Sequence, residues 1–279
     1  MEMYAAVWSG YFRELSPEEG ISLLHRAGFT HTEITITTVT DLLERGDPEK
    51  TGLKFANWLQ DIGVSAPQGH LNFKKGICTQ EGLDDLKREL TLFSAMGIQN
   101  AVLHFNGGNE MEPMARMEAR LEGVRQLQSF VKGSDLYLCL ENLGSVPETH
   151  TVERLNGIID TLGGDHLGIC LDTGHLHLVN GRAEVTQTQA AFITGAGERL
   201  RALHITENNG HNDDHQMPYS ARYGIDWVEV LRTLRQIGYR GLFNLEILGE
   251  REAPLPVKWA KLDYIKTLTD YMLSDEFIE

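Results

Sequence analysis

LYLCLEN (136–142) and LGICLDT (167–173) decide the reading of this chain: each is a short apolar run that closes on a carboxylate. A run of this length, bounded by loop residues, reads as a buried strand. The same form recurs outward from them at MYAAVW (3–8), HTEITI (31–36), VSAPQGH (64–70), NAVLHF (100–105), RALHIT (201–206) and LFNLEI (242–247). Between these runs lie stretches with apolar residues at helical spacing. SPEEGISLLHRAG opens on a Ser–x–x–Glu capping box, Ser16 to Glu19, and ends at Gly28. KFANWLQDIG ends at Gly63, EGLDDLKRELTLFSAMG at Gly97 and DWVEVLRTLRQIG at Gly238, each with glycine where a helix exits. Strands that alternate with helices pair in parallel, because a parallel neighbour needs a crossover connection. A doubly wound open sheet would favour a glycine-rich phosphate loop after its first strand, and Trp8-Ser9-Gly10-Tyr11-Phe12 is no G-x-G-x-x-G. No linker or charge block divides the chain, and 279 residues suit one closed barrel, which takes about 250. The expectation is an α/β fold, a single (β/α)8 TIM barrel over 1–279.

Composition narrows the partners. Forty Asp and Glu against 25 Lys and Arg give a formal charge of −15, which repels phosphate backbones and favours small, neutral or weakly charged substrates. No nucleic acid is expected. No stretch reaches the ~18 apolar residues of a membrane span, and MEMYAAVWSGYFRELSPEEG lacks the pattern of a signal peptide. The expected setting is cytoplasmic, with no membrane partner and with room for a homo-oligomer. Cys78, Cys139 and Cys170 are too few for a disulfide framework, and the last two sit inside apolar runs as small buried hydrophobes.

The polar residues that end the runs carry the chemistry. His70, His104, Glu141, Asp172, His204 and Glu246 stand at or near the ends of the third to eighth runs. In a barrel all these ends converge on one face, where the active sites of this fold are built. Singly, a strand-end histidine is ordinarily structural and a strand-end carboxylate ordinarily caps the next helix. Together they are six ligand types for a divalent metal, and such a cluster needs a cation to neutralise it. His175 follows Asp172 by three, so the loop after the sixth run can turn a further ligand to the same face. ENNGHNDDH (207–215) then offers Asp213 and His215 in a D-x-H pair, with His211 and Asp214 nearby.

At LCLENLG (138–144), GICLDTGH (168–175), ALHITENNG (202–210) and GYRGLFNLEI (238–247) the chain resembles the xylose isomerase-like barrel superfamily. That superfamily holds sugar isomerases, sugar epimerases and endonuclease IV-type enzymes acting at abasic DNA sites. The resemblance to its ketose epimerases implies one divalent metal (Mn, Zn, Co or Mg) on Glu141, Asp172, His204 and Glu246. It also implies proton transfer by the two glutamates and a substrate contact from His175. The endonuclease branch adds positions that match His70, His104, His175, Asp213 and His215. Two departures bear on substrate. An arginine that the epimerases carry six residues after the seventh-strand histidine is here Gly210. The Pro-Gly-x-Gly turn common after the D-x-H pair is here PYSARYG (218–224), longer and without the first glycine, where Arg222 offers a substitute cation.

These residues fit a metal-dependent isomerase or epimerase of a sugar or sugar derivative. Carbohydrate chemistry of this kind removes a proton beside a carbonyl, with a metal as Lewis acid and carboxylates moving the proton. Glu246 is assigned as first base and Glu141 as its partner. Trp8 and Glu33 are expected to line the pocket. The alternative is a metal-dependent phosphodiesterase at abasic DNA sites.

Overall fold

Eight parallel strands form the expected barrel: β1 (Tyr4–Val7), β2 (His31–Ile34), β3 (Ser65–His70), β4 (Asn100–Leu103), β5 (Tyr137–Glu141), β6 (Leu167–Asp172), β7 (Leu200–His204) and β8 (Leu242–Leu245). This is a computed structural model that describes residues 3–74, 76–184, 186–247 and 253–278. The strands follow the order β7-β6-β5-β4-β3-β2-β1-β8. A parallel bridge between Ile205 and Leu245 closes the ring, with Ile205 N–H donating to Asn244 O at 2.8 Å and Glu246 N–H to Ile205 O at 3.3 Å. Among the described residues no helix is long and apolar enough to cross a membrane.

Local chemistry sets the element ends. Ser16 caps α1 (Pro17–Arg26) through the capping box read from the sequence, and α4 (Gln80–Met96) exits at Gly97 with φ +76°. Two segments depart from expectation. The run HTEITI is a strand only to Ile34, because α2 (Ile36–Glu44) starts almost at once. After β6 there is no loop: α7 (Thr173–Gly181) begins on the strand's last residue, with Asp172 as its N-cap. His175 therefore lies on the first turn of a helix, where backbone geometry aims it more firmly than a loop would.

The pleat builds the site. Residues two apart on a strand share a face, and Val102, Cys139, Cys170 and Ala202 form a fully buried cluster of their own inside the ring. Two residues further along each chain stand His104, Glu141, Asp172 and His204. A small apolar layer thus supports a layer of ligand-type side chains, and the outer shell of helices packs over the strands' other faces. Cys139 and Cys170 are buried as read from the sequence.

Candidate metal centre

Glu141, Asp172, His204 and Glu246 each offer a ligand atom within 4.8 Å of the others, and His70, Glu141 and His204 form a second such group. His204 stands at the centre. Its Nδ1 lies 3.0 Å from Glu141 Oε1 and 2.8 Å from Glu246 Oε2, and its Nε2 lies 3.0 Å from Glu33 Oε2. Asp172 divides its two oxygens. Oδ1 accepts the His175 backbone N–H at 2.7 Å and the Thr206 hydroxyl at 3.0 Å, while the buried Oδ2 has no hydrogen-bond partner among the described residues, the His175 Nδ1 lying 3.9 Å away. A buried carboxylate oxygen left unpaired is unfavourable. The mixed nitrogen and oxygen donors around it are those a divalent cation takes, so the residues fit a metal.

Asn142, next to Glu141, extends the β5–β6 pairing with its side chain: Nδ2 donates to Asp172 O at 2.9 Å, and Asp172 N–H donates to Asn142 Oδ1 at 2.7 Å. This clamp fixes the two carboxylates relative to each other. Burial works to raise the Glu246 carboxyl, yet the charge and hydrogen bond of His204, with His215 beyond, hold it down at about 2. Burial likewise opposes the Glu141 charge, but His204 and His104 keep it well below the usual carboxylate range. For Asp172 burial prevails and the carboxyl is pushed up.

Further histidines ring this group. His104 Nε2 is 2.7 Å from Glu141 Oε2, and His70 Nε2 is 3.6 Å from the same oxygen. His175 and His215 flank Asp213 Oδ2 with their Nε2 atoms at 3.3 and 3.5 Å. On three of these rings Nδ1 meets a backbone carbonyl: His70 with Leu71 O at 2.7 Å, His175 with Asn142 O at 2.9 Å and His215 with Glu246 O at 2.8 Å. A carbonyl only accepts, so Nδ1 carries a hydrogen on each. Burial opposes a second proton, but neighbouring carboxylates outweigh it and hold all three rings toward the protonated form, His215 up to about 10. Loss of the Nε2 proton to an incoming cation then frees the lone pair on the carboxylate side. That is the arrangement of histidines whose second nitrogen is held for ligation. His215 has φ +47°, uncommon for a side-chain-bearing residue, and its carbonyl bond holds the ring there.

The other expected residues sort differently. Trp8 reaches the rim, its Nε1 donating to Ile247 O at 2.8 Å and its ring stacked on His215 with Arg13 over it at 5.6 Å. Glu33 is fully buried beneath His204 and lines no open surface. Arg222 is exposed and stacks on Tyr223, with no described contact to the cluster. Gly210 has φ +79° with Gly181 Cα 3.4 Å from a built Cβ, so the backbone disfavours the arginine that the epimerases carry there. Phe73 was not foreseen: it is 41% exposed and stacks on His104 at 5.1 Å. Gln68 was missed too, although its place two residues before His70 on β3 puts it on the inward face.

Glu207 is a third unforeseen residue, and it organises the loop after β7. Its carboxylate accepts from Ser220 N, Ala221 N, Ile225 N and Trp227 Nε1 at 2.7, 3.1, 2.9 and 3.2 Å. Its backbone pairs with Gln216, which follows the D-x-H pair. Glu207→Ala would strand two buried donors, Ile225 N–H and Trp227 Nε1–H, at about 1–3 kcal/mol each. The expected result is a loss of about 3 kcal/mol or more in denaturant unfolding, with faster proteolysis within 208–224. An unchanged unfolding midpoint would show that the clasp contributes little.

The profile of the family described as xylose isomerase-like TIM barrel matches residues 21–267, and the chain belongs to that family. A D-psicose 3-epimerase from Enterocloster bolteae is 24% identical over 235 residues, covering 78% of this chain and 72% of that protein. The structure of D-psicose 3-epimerase with D-tagatose from Clostridium cellulolyticum has a TM-score of 0.76 at 15% identity, covering 98% of this chain and all 100% of that one. A 3-keto-D-glucoside 4-epimerase from E. coli has a TM-score of 0.74 at 16% identity over 95% of this chain and 100% of its own.

Proposed function

We propose that the protein is a divalent-metal-dependent epimerase or isomerase of a sugar or sugar derivative, moving a proton on carbon beside a carbonyl. The observation that carries this is the pair Glu141 and Glu246, both against His204 Nδ1 but unequal in access. The Glu246 side chain is 10% exposed, whereas Glu141 is 1% exposed. Sugar epimerases among the similar proteins support the reading, as does the acidic overall charge.

Glu141, Asp172, His204 and Glu246 would hold the cation. Bound there, it supplies Lewis-acid polarisation of the substrate carbonyl. Glu246, nearer the rim, takes the proton from the adjacent carbon as its C–H electron pair shifts toward the carbonyl. Glu141, which must carry a proton in the substrate complex, gives it to the other face or to the neighbouring carbon. The pair then passes one proton from Glu246 to solvent and takes one up at Glu141 before the next turnover. Trp8 and Phe73 offer aromatic walls beside His215 and His104, on which a sugar's C–H face can rest. A panel of ketoses, aldoses and polyol ketones incubated with the metal-loaded protein in deuterium oxide, read by NMR, tests the reading. The expected result is a new sugar with deuterium on carbon. A panel without product or exchange counts against it.

A second reading has its own support, because Asp213 with His175 and His215 forms an outer group like that of an abasic-site phosphodiesterase. That activity requires neutralising several phosphates, and binding would weaken steeply with salt. At −15 overall we expect no binding to abasic duplex at moderate salt. Specific incision of such a duplex by the pure protein would reverse the ranking. Anomalous scattering at the manganese or zinc edge is expected to show a second, weaker peak among these three residues; a lone peak at saturating metal would leave them as substrate contacts.

A further inference from the structure

Glu33 is a buried carboxylate with no lysine or arginine among its described ion pairs; its partner is His204. It sits on β2, while His204 sits on β7, and those strands are not neighbours in the ring. The side chain reaches across the barrel interior from one strand to the other. Its Oε2 accepts from His204 Nε2 at 3.0 Å and also takes a hydrogen from Gln68 Nε2. The same Gln68 amide reaches Leu203 O at 3.4 Å, tying it to the residue before His204.

A carboxylate at Nε2 only accepts, so when a cation takes the place of the Nδ1 proton that faces Glu141 and Glu246, the hydrogen left on His204 is the one on Nε2. The lone pair then lies on Nδ1, the nitrogen facing Glu141 and Glu246. Ligation requires an unprotonated nitrogen, and a hydrogen on Nδ1 would instead be drawn to those two carboxylates.

We propose that Glu33, steadied by Gln68, is a positioning residue that sets the tautomer and ring orientation of His204 and thereby the affinity of the metal site. The inference rests on the metal reading of the cluster, and its test separates the two. Mn2+ is titrated by electron paramagnetic resonance into metal-stripped wild type, Glu33→Gln and Glu33→Leu. In parallel, histidine-15N NMR of the zinc-loaded wild type reads which His204 nitrogen is protonated. The expected results are a hydrogen on Nε2 and Mn2+ affinity lowered about 10- to 100-fold in Glu33→Leu, the range typical of groups that orient ligands. Glu33→Gln, whose amide oxygen can still accept, should fall between. Circular dichroism checks that each variant keeps its fold.

Wild type that binds Mn2+ with both variants equal to it would overturn the role of Glu33 and leave the metal centre standing. So would a His204 hydrogen on Nδ1 in the zinc form. Wild type that binds neither ion would overturn both. If Glu33→Leu does not fold, the glutamine variant and the wild-type tautomer still decide.

Discussion

Replacing Glu246 by glutamine is expected to stop both turnover and uptake of solvent deuterium, lowering each about 10²- to 10⁴-fold, the usual contribution of a positioned base. The amide has no basic lone pair for a carbon-bound proton, although its oxygen can still accept hydrogen bonds near His204. Glu246 is also a proposed ligand, so the measurement belongs at saturating metal, with occupancy checked in the same sample. Glu141→Gln should behave differently. Glu246 would still remove the proton and return a deuteron to the same face, so the starting sugar gains deuterium while little epimer forms. Uptake without inversion in Glu141→Gln, and neither in Glu246→Gln, would assign the two carboxylates their separate tasks. Uptake that persists in Glu246→Gln would move the first proton transfer elsewhere. Product that forms in the wild type with no deuterium on carbon would point instead to a hydride shift between carbons.

The barrel was legible because its signals are local and repeated: apolar runs, a capping box at Ser16 and glycine exits such as Gly97. The strand-end residues were legible for the same reason, since the fold brings every such end to one face. What the sequence did not disclose depends on contacts far apart in the chain. Glu33 stood out as a polar residue in a strand, but its partner is 171 residues away, so a pocket-lining role looked as natural as a buried one. Glu207 looked like part of a polar loop because its donors lie 13 to 20 residues further on. His175 was placed on a loop because TGHLHLVNG gives little amphipathic contrast, being covered on most sides. Gly210 shows the reverse: the absent arginine was visible, while the cause, a backbone pressed on Gly181 in left-handed geometry, was not.

Asp172 lets the two demands on this site be separated, because each of its oxygens serves one of them. Oδ1 caps α7 and takes the Thr206 hydroxyl; Oδ2 faces the cluster with no hydrogen bond among the described residues. Asp172→Asn can keep the first oxygen and place an amide at the second. Asp172→Ala removes both. Metal affinity is expected to fall by more than about 100-fold in each, beyond the typical loss from removing a group that only orients a ligand. Stability of the metal-free protein should split them. The alanine variant loses a helix cap, about 1 kcal/mol, and strands the buried Thr206 hydroxyl. The asparagine variant should match or exceed the metal-free wild type. Burial raises the folded-state pKa of Asp172, so this group favours the fold while protonated and that contribution is lost as pH rises through the folded value. At neutral pH the amide escapes that loss. Adding Mn2+ at a hundredfold excess over the wild-type Kd should then stabilise wild type by about 2.7 kcal/mol. An Asp172→Asn protein bound 100-fold more weakly would gain only about 0.4 kcal/mol by the same relation. Denaturant unfolding with and without Mn2+ measures both quantities on three proteins. Equal metal-induced stabilisation of wild type and Asp172→Asn would remove Asp172 from the ligand set and leave it as a cap alone.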